Sequence, residues 1–147
     1  MTILEEITAY GHQNILCTHR STIELTKESS ITKNGNCILG INASKSCANL
    51  NPILKKNIKN ENRIKVSIKV EDLNDSFYGF GNKLLTLQDE CDLVFRKSDY
   101  ICDRTVLINC TKSSSELNRK LIKKLRISGI KFSIMFENDD DNKNQGY

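Results

Sequence analysis

Both histidines of the chain fall in one short stretch, Gly11-His12-Gln13-Asn14-Ile15-Leu16-Cys17-Thr18-His19-Arg20-Ser21-Thr22-Ile23-Glu24. If the chain turns near Ser21, a hairpin brings His19 beside Thr22 and Glu24. A carboxylate next to an imidazole orients the ring and stabilises its charged form, which suits general acid–base work or metal binding. His12, His19 and Glu24 are therefore the candidate catalytic residues, and His12 and His19 are the candidate metal ligands. The alternative is a polar hairpin tip whose hydrogen bonds are satisfied locally. His12 follows Gly11, a residue that permits a tight turn or close backbone approach.

A second stretch, Arg96-Lys97-Ser98-Asp99-Tyr100-Ile101-Cys102-Asp103-Arg104-Thr105, holds two of only six arginines. Guanidinium and hydroxyl groups grip phosphate or carboxylate through charge-assisted hydrogen bonds. Arg20, Thr22, Lys27, Arg96, Lys97, Ser98, Arg104 and Thr105 are the candidate anion-binding residues. Lys45, just before a helix start, joins them as part of an anion seat. Internal pairing of the arginines with Asp99 and Asp103 is the competing reading.

Composition supports an anionic partner, nucleic acid among the candidates. The chain has 147 residues and a net charge of +4. Residues 137–147 carry −3, which leaves +7 on the rest. Walker-type loops, nucleophile elbows, His-Glu-x-x-His and C-x-x-C spacings are all absent from the sequence, so no cofactor is indicated. With no basic-then-apolar leader and no run near ~18 apolar residues, a cytoplasmic location off the membrane is expected. Thiols rather than disulfides follow from that compartment. Cys17, Cys37, Cys91 and Cys110 lie in apolar runs and read as core; Cys47 and Cys102 lie near loops and are open to reaction.

The elements that must position these groups are mostly strands. Apolar alternation and turn residues place strands over 2–10, 14–18, 22–27, 37–41 and 63–70, then over 76–80, 84–87, 92–97, 104–110 and 131–136. Helical spacing appears over 49–58 and over 114–125, the second capped by Ser113 or Ser114. Ile41-Asn42-Ala43-Ser44-Lys45-Ser46 parallels Ile108-Asn109-Cys110-Thr111-Lys112-Ser113, Lys27 parallels Lys97, and Val66 parallels Phe132. The expectation is one mainly β domain with two helices over 1–136. It would be a compact barrel or sandwich of two tandem β-β-β-α-β repeats, about 1–71 and 76–137, related by a pseudo-two-fold axis. An acidic, disordered tail is expected over 138–147.

The ordered motifs Gly11-His12-x-Asn14-Ile15, Thr18-His19-Arg20-x-Thr22-x-Glu24-x-Thr26-Lys27, Gly35-Asn36-Cys37-Ile38-x-Gly40-Ile41, Arg96-Lys97-Ser98 and Arg104-Thr105 resemble the archaeal family known as domain of unknown function 371. The resemblance runs from about Leu4 to Leu125. It implies an archaeal source, a single mainly β domain and a cytosolic setting, and it implies no activity. Three functions follow from the residues. The leading one is a basic module binding nucleic acid, nucleotide or phosphate. The others are a small enzyme with a His/Glu site and arginine clamps, and a structural assembly subunit.

Overall fold

The computed structural model describes residues 2–139. Eight strands and two helices follow in the order β1 (Ile3–Tyr10), β2 (Thr22–Thr26), β3 (Ile38–Gly40), α1 (Pro52–Lys59), β4 (Arg63–Val70), β5 (Leu73–Phe80), β6 (Asp92–Arg96), β7 (Thr105–Leu107), α2 (Arg119–Leu125) and β8 (Lys131–Asn138). One sheet is antiparallel in the order β1-β8-β4-β5; the other is mixed, in the order β3-β2-β6-β7. The mainly β expectation with two helices holds, but neither sheet closes into a barrel.

Alternation dictates the antiparallel sheet. Ile64, Val66, Ile68 and Val70 point inward from β4, while Arg63, Lys65, Ser67 and Lys69 take the outer face. β8 repeats the pattern with Phe132, Ile134 and Phe136 inside. Rings join the two sheets: Phe95 of β6 meets Phe77 of β5 edge-on at 5.3 Å and Phe136 of β8 at 5.8 Å.

Several expected elements differ. Segments 14–18 and 84–87 are not strands, although Ile15, Cys17, Leu85 and Leu87 are buried. Cys17 and Leu87 sit at φ of 50° and 53°, which breaks the extended geometry a ladder requires. The helices expected over 49–58 and 114–125 each split. A 3-10 turn, Cys47–Asn49 or Ser114–Glu116, is followed by an extended Leu50 or Leu117, and the α-helix begins only after Asn51 or Asn118. Those asparagines accept N–H groups of the first helical turn, whereas Ser113 caps the 3-10 turn. β5 reaches back to Leu73 across a tight turn in which Glu71 has φ 52°. β7 is short because Asn109 turns left-handed at φ 50°. Cys37 is half-buried and packs against the core, Cys91 is half-buried, and Cys47 is buried; all six cysteines are free thiols. Of the expected acidic tail, Asn138 closes β8, and 140–147 lie outside the described residues.

Two carboxylates fix the helices to the antiparallel sheet. Glu5 of β1 takes Lys45 Nζ at 2.8 Å and the Asn51 N–H at 2.6 Å. Asp75 of β5 takes Lys112 Nζ at 2.6 Å and the Asn118 N–H at 2.8 Å. Each carboxylate thus holds a lysine and a helix N-cap at once, and Lys45 is a structural ion-pair partner. At the other end of each helix the chain passes so closely that a Cβ on Gly81 would clash with the Ile58 carbonyl oxygen, and one on Gly11 with that of Leu125.

Burial opposes ionisation of Asp75, but Lys112 and the N–H groups of Asn118 and Ser76 outweigh it and hold the carboxyl below its ordinary value. A depressed native pKa contributes stability above the unfolded value of about 3.8, and that contribution is lost as pH falls through the native value. Asp75→Asn is expected to cost about 1–3 kcal/mol at pH 7. The difference from wild type should shrink as urea melts are repeated from pH 7 toward pH 3.

Candidate functional site

The outer face of the mixed sheet gathers about half of the residues singled out by sequence. Strands β2 and β6 pair with Thr22 opposite Arg96, Glu24 opposite Val94 and Thr26 opposite Asp92, while Ile23, Leu25, Leu93 and Phe95 fill the core. Glu24 is buried. Its Oε1 accepts from an Arg104 guanidinium nitrogen at 2.9 Å and from the Cys37 thiol at 3.7 Å. A second Arg104 nitrogen lies 3.6 Å from Asp92 Oδ2. Burial, then the neighbouring Asp92, push the Glu24 carboxyl above its ordinary range, with Arg104 pulling the other way.

Arg96 lies on the same face. Its Nε donates to Thr105 Oγ1 at 2.8 Å, a terminal nitrogen reaches Cys102 Sγ at 3.4 Å, and the guanidinium stacks on Tyr100 at 4.9 Å. Cys102 is half-exposed. Burial works against its ionisation, but Thr105, the Arg104 backbone and Arg96 together hold the thiol below its ordinary value. Cys47 and Cys110 are pushed up to about 12, and Cys17 to about 11, by burial.

Both histidines take part in turns. His19 Nδ1 accepts the N–H groups of Ser21 at 3.1 Å and Thr22 at 3.2 Å, and His12 Nδ1 accepts the Asn14 N–H at 3.0 Å. Both rings close turns as a short amide or carboxylate does. Asn82 Oδ1 accepts from Leu84 N–H, and Asp89 Oδ2 from the N–H groups of Cys91 and Asp92, in the turns that follow β5. His19 also contacts Thr22 Oγ1 at 3.1 Å, whereas His12 lines a cleft at the end of β1. No hydrogen bond links either histidine to Glu24, and the described residues hold no group of three or more His, Cys, Asp or Glu able to bind a metal ion.

The remaining candidates are dispersed. Lys97 pairs with Glu116 at 2.8 Å, and Ser98 Oγ accepts the Tyr100 N–H at 3.3 Å. Exposed Arg20 and half-buried Lys27 make no side-chain hydrogen bond or ion pair among the described residues.

The sequence reading passed over a cradle on the outer face of the antiparallel sheet. Thr8, Lys69, Lys131 and Ser133 line an open depression of about 390 Å³, together with Glu71 and Phe132. Lys69 stands opposite Ser133, and Thr8 is the cross-strand partner of Ser133. Glu71 is engaged by Lys124 at 3.0 Å, while Lys69 and Lys131 have no ion-pair partner among the described residues. Lys69 alternates with Ile68 and Val70, and Lys131 and Ser133 alternate with Phe132 and Ile134, so each lies on the polar face of its strand. Their convergence requires the β4–β8 register, which no residue pattern displays.

Fold and site together define a mainly β module of two open sheets, with an Arg104 ion-pair network on one face and, on the other, two lysines that have no ion-pair partner among the described residues. The chain belongs to the family described as domain of unknown function (DUF371), whose pattern matches residues 7–138. An uncharacterised protein of the archaeon Methanocaldococcus jannaschii, MJ0206, is 44% identical over 120 residues, covering 82% of this chain and 89% of that protein. Among the described residues no helix is long and apolar enough to cross a membrane.

Two measurements test this description. Iodoacetamide on the native protein should label Cys102 first, leave Cys47 and Cys110 unlabelled, and label Cys102 more slowly in Arg96→Ala. His19→Asn should retain stability within about 0.5 kcal/mol, whereas His19→Ala should lose about 1 kcal/mol in denaturant melts, because only the amide restores the turn acceptor.

Proposed function

We propose that this is a cytoplasmic archaeal module of one domain that binds an anionic, phosphate-bearing ligand: nucleic acid, nucleotide or phosphate. The observation that carries this reading is the Lys69–Lys131 cradle with its Thr8 and Ser133 hydroxyls. Two ammonium groups with no ion-pair partner among the described residues, and two hydroxyls beside them, suit a phosphate group. Of the residues first considered, Arg104, Lys45 and Lys97 already hold carboxylates. The anion site in this proposal is the Lys69–Lys131 cradle, with Arg20, Lys27 and Arg96, which hold no carboxylate among the described residues, outside it.

Tandem duplication is part of the same proposal. Its support is a set of paired devices: the bridges Tyr10–Ile41 and Phe80–Ile108, the left-handed Asn42 and Asn109, the caps Asn51 and Asn118, and the carboxylate locks Glu5 and Asp75. Ile7 stands opposite Ile134 and Phe77 opposite Val66, so Val66 corresponds to Ile134 rather than to Phe132.

A second reading, a small enzyme on the outer face of the mixed sheet, is favoured by one observation. A buried carboxyl held above its ordinary range and a half-exposed thiol held below it lie near one arginine pair. In that reading Glu24 and Cys102 do the chemistry, and the histidines close turns.

Heparin–agarose retention tests the anion reading. Wild type should be retained and should elute earlier as salt rises. Lys69→Ala/Lys131→Ala should lose most of that retention, and Arg96→Ala should keep it. Absent or salt-insensitive retention, or retention undiminished in the double lysine variant, overturns the proposal.

A further inference from the structure

A second cleft, of about 330 Å³, opens at the end of β1, lined by Tyr10, His12, Ser29, Asn42, Ser128 and Gly129. Its side chains offer a phenol, an imidazole, an amide and two hydroxyls, with no carboxylate or ammonium group among them. Backbone hydrogen bonds fix its walls: Gly11 N–H to Ile130 O at 2.8 Å, His12 N–H to Leu125 O at 2.9 Å, Gly129 N–H to Gly11 O at 3.1 Å, and Asn42 N–H to Glu28 O at 2.9 Å. Because His12 Nδ1 accepts the Asn14 N–H, the ring proton sits on Nε2, which has no partner among the described residues and remains to donate. Gly129, at φ 86°, has nothing within 4 Å of where a Cβ would stand, so this wall is open to a ligand.

Tyr10 connects this cleft to the lysine cradle. It is the direct cross-strand partner of Lys131, and it shares the outer face of β1 with Thr8. Lys131 and Thr8 both line the cradle. Directly opposed side chains on a sheet start about 4.5–5.5 Å apart. An anion at Lys131 and an aromatic ring at Tyr10 are thus within the span of one small molecule.

Resting on the anion-binding reading, we infer that the ligand is a nucleoside phosphate. Its phosphate sits between Lys69 and Lys131, and its nucleoside lies in the His12 cleft. The base packs on Tyr10, whose ring face accepts any base by stacking. His12 Nε2–H and the Asn42 amide meet the base edge, and the Ser29 and Ser128 hydroxyls serve the ribose. The corresponding end of β5 carries Phe80 and Asn82, which offer a ring but no imidazole donor. The inferred nucleoside site therefore belongs to the first half of the chain.

Calorimetric titration of the full chain at low salt with inorganic phosphate, ribose 5-phosphate, AMP, GMP, CMP and UMP tests this. At least one nucleotide should bind about tenfold or more tighter than ribose 5-phosphate, the factor expected of one stacked base. His12→Asn keeps the turn acceptor, as Asn82 does, and should weaken nucleotide binding while phosphate binding persists, and Tyr10→Leu should return the nucleotide to the ribose 5-phosphate level. Lys69→Ala/Lys131→Ala should abolish binding of both. A 5′-phosphorylated oligoribonucleotide that binds more tightly than its mononucleotide assigns the site to an RNA end; equal affinity assigns it to the free nucleotide. Nucleotides no tighter than ribose 5-phosphate overturn the inference and leave the anion reading standing, as does an advantage that survives both His12→Asn and Tyr10→Leu. Loss of every phosphate titration together with heparin retention overturns the anion reading itself.

Discussion

The structure depends on a carboxylate at an inward position of an edge strand holding two partners at once. Glu5 and Asp75 each bind a lysine from the loop before a helix and the N-cap amide of that helix. A buried carboxylate without such partners would be costly, so strand, loop and helix start settle as one unit. The consequences run to the far end of each helix. With α2 fixed at Asn118, its last carbonyls meet the incoming chain at Gly11 and His12, and the turn through Gly129 folds back on Gly11. The walls of the His12 cleft are thus set by an ion pair at the opposite end of the helix.

The same logic explains why the two outer faces differ in what they can bind. On the mixed sheet, Arg104 arrives with Glu24 and Asp92, and Lys97 with Glu116, while Arg96 is held by Thr105, Cys102 and the Tyr100 ring. Such pairs hold strands and loops in register and leave little charge for a ligand. Across the antiparallel sheet the strand ends bring Lys69 and Lys131 to one open depression, and the nearby Glu71 is engaged by Lys124 instead. Net charge alone does not distinguish these cases, because it counts a paired and an unpaired lysine alike.

Much of the fold was legible in the residues. Period-two alternation marked β4 and β8, and helical spacing located α1 and α2, because half-buried strands and amphipathic helices write their burial directly into sequence. The failures at 14–18 and 84–87 share one cause. Ile15, Cys17, Leu85 and Leu87 are buried by a looping chain, and burial in a loop has the same apolar signature as burial in a strand. Splitting of the expected helices was readable in retrospect from Asn51 and Asn118, good caps placed inside apolar runs. Cys47 looked exposed by its loop position, yet the 3-10 turn that carries it packs inward.

The site was legible in a more limited sense, and the histidines show why. Imidazole is the side chain most readily read as chemistry, but its Nδ1 is also a compact acceptor two bonds from Cβ, close in reach to the oxygens of Asn and Asp. At His12 and His19 that geometry closes turns, as Asn82 and Asp89 do. Residue type alone therefore does not separate a turn acceptor from an acid–base group, and the outer-face lysines look like ordinary solvated charge. What separates a turn cap from a ligand donor is the second nitrogen. At His12 the structural duty fixes the ring and consumes Nδ1, while the residue lines the cleft and Nε2 has no hydrogen-bond partner among the described residues. A ring held rigidly by one nitrogen loses little freedom when the other engages a ligand. The structural role and the proposed recognition role of His12 are therefore not rivals: the first prepares the second.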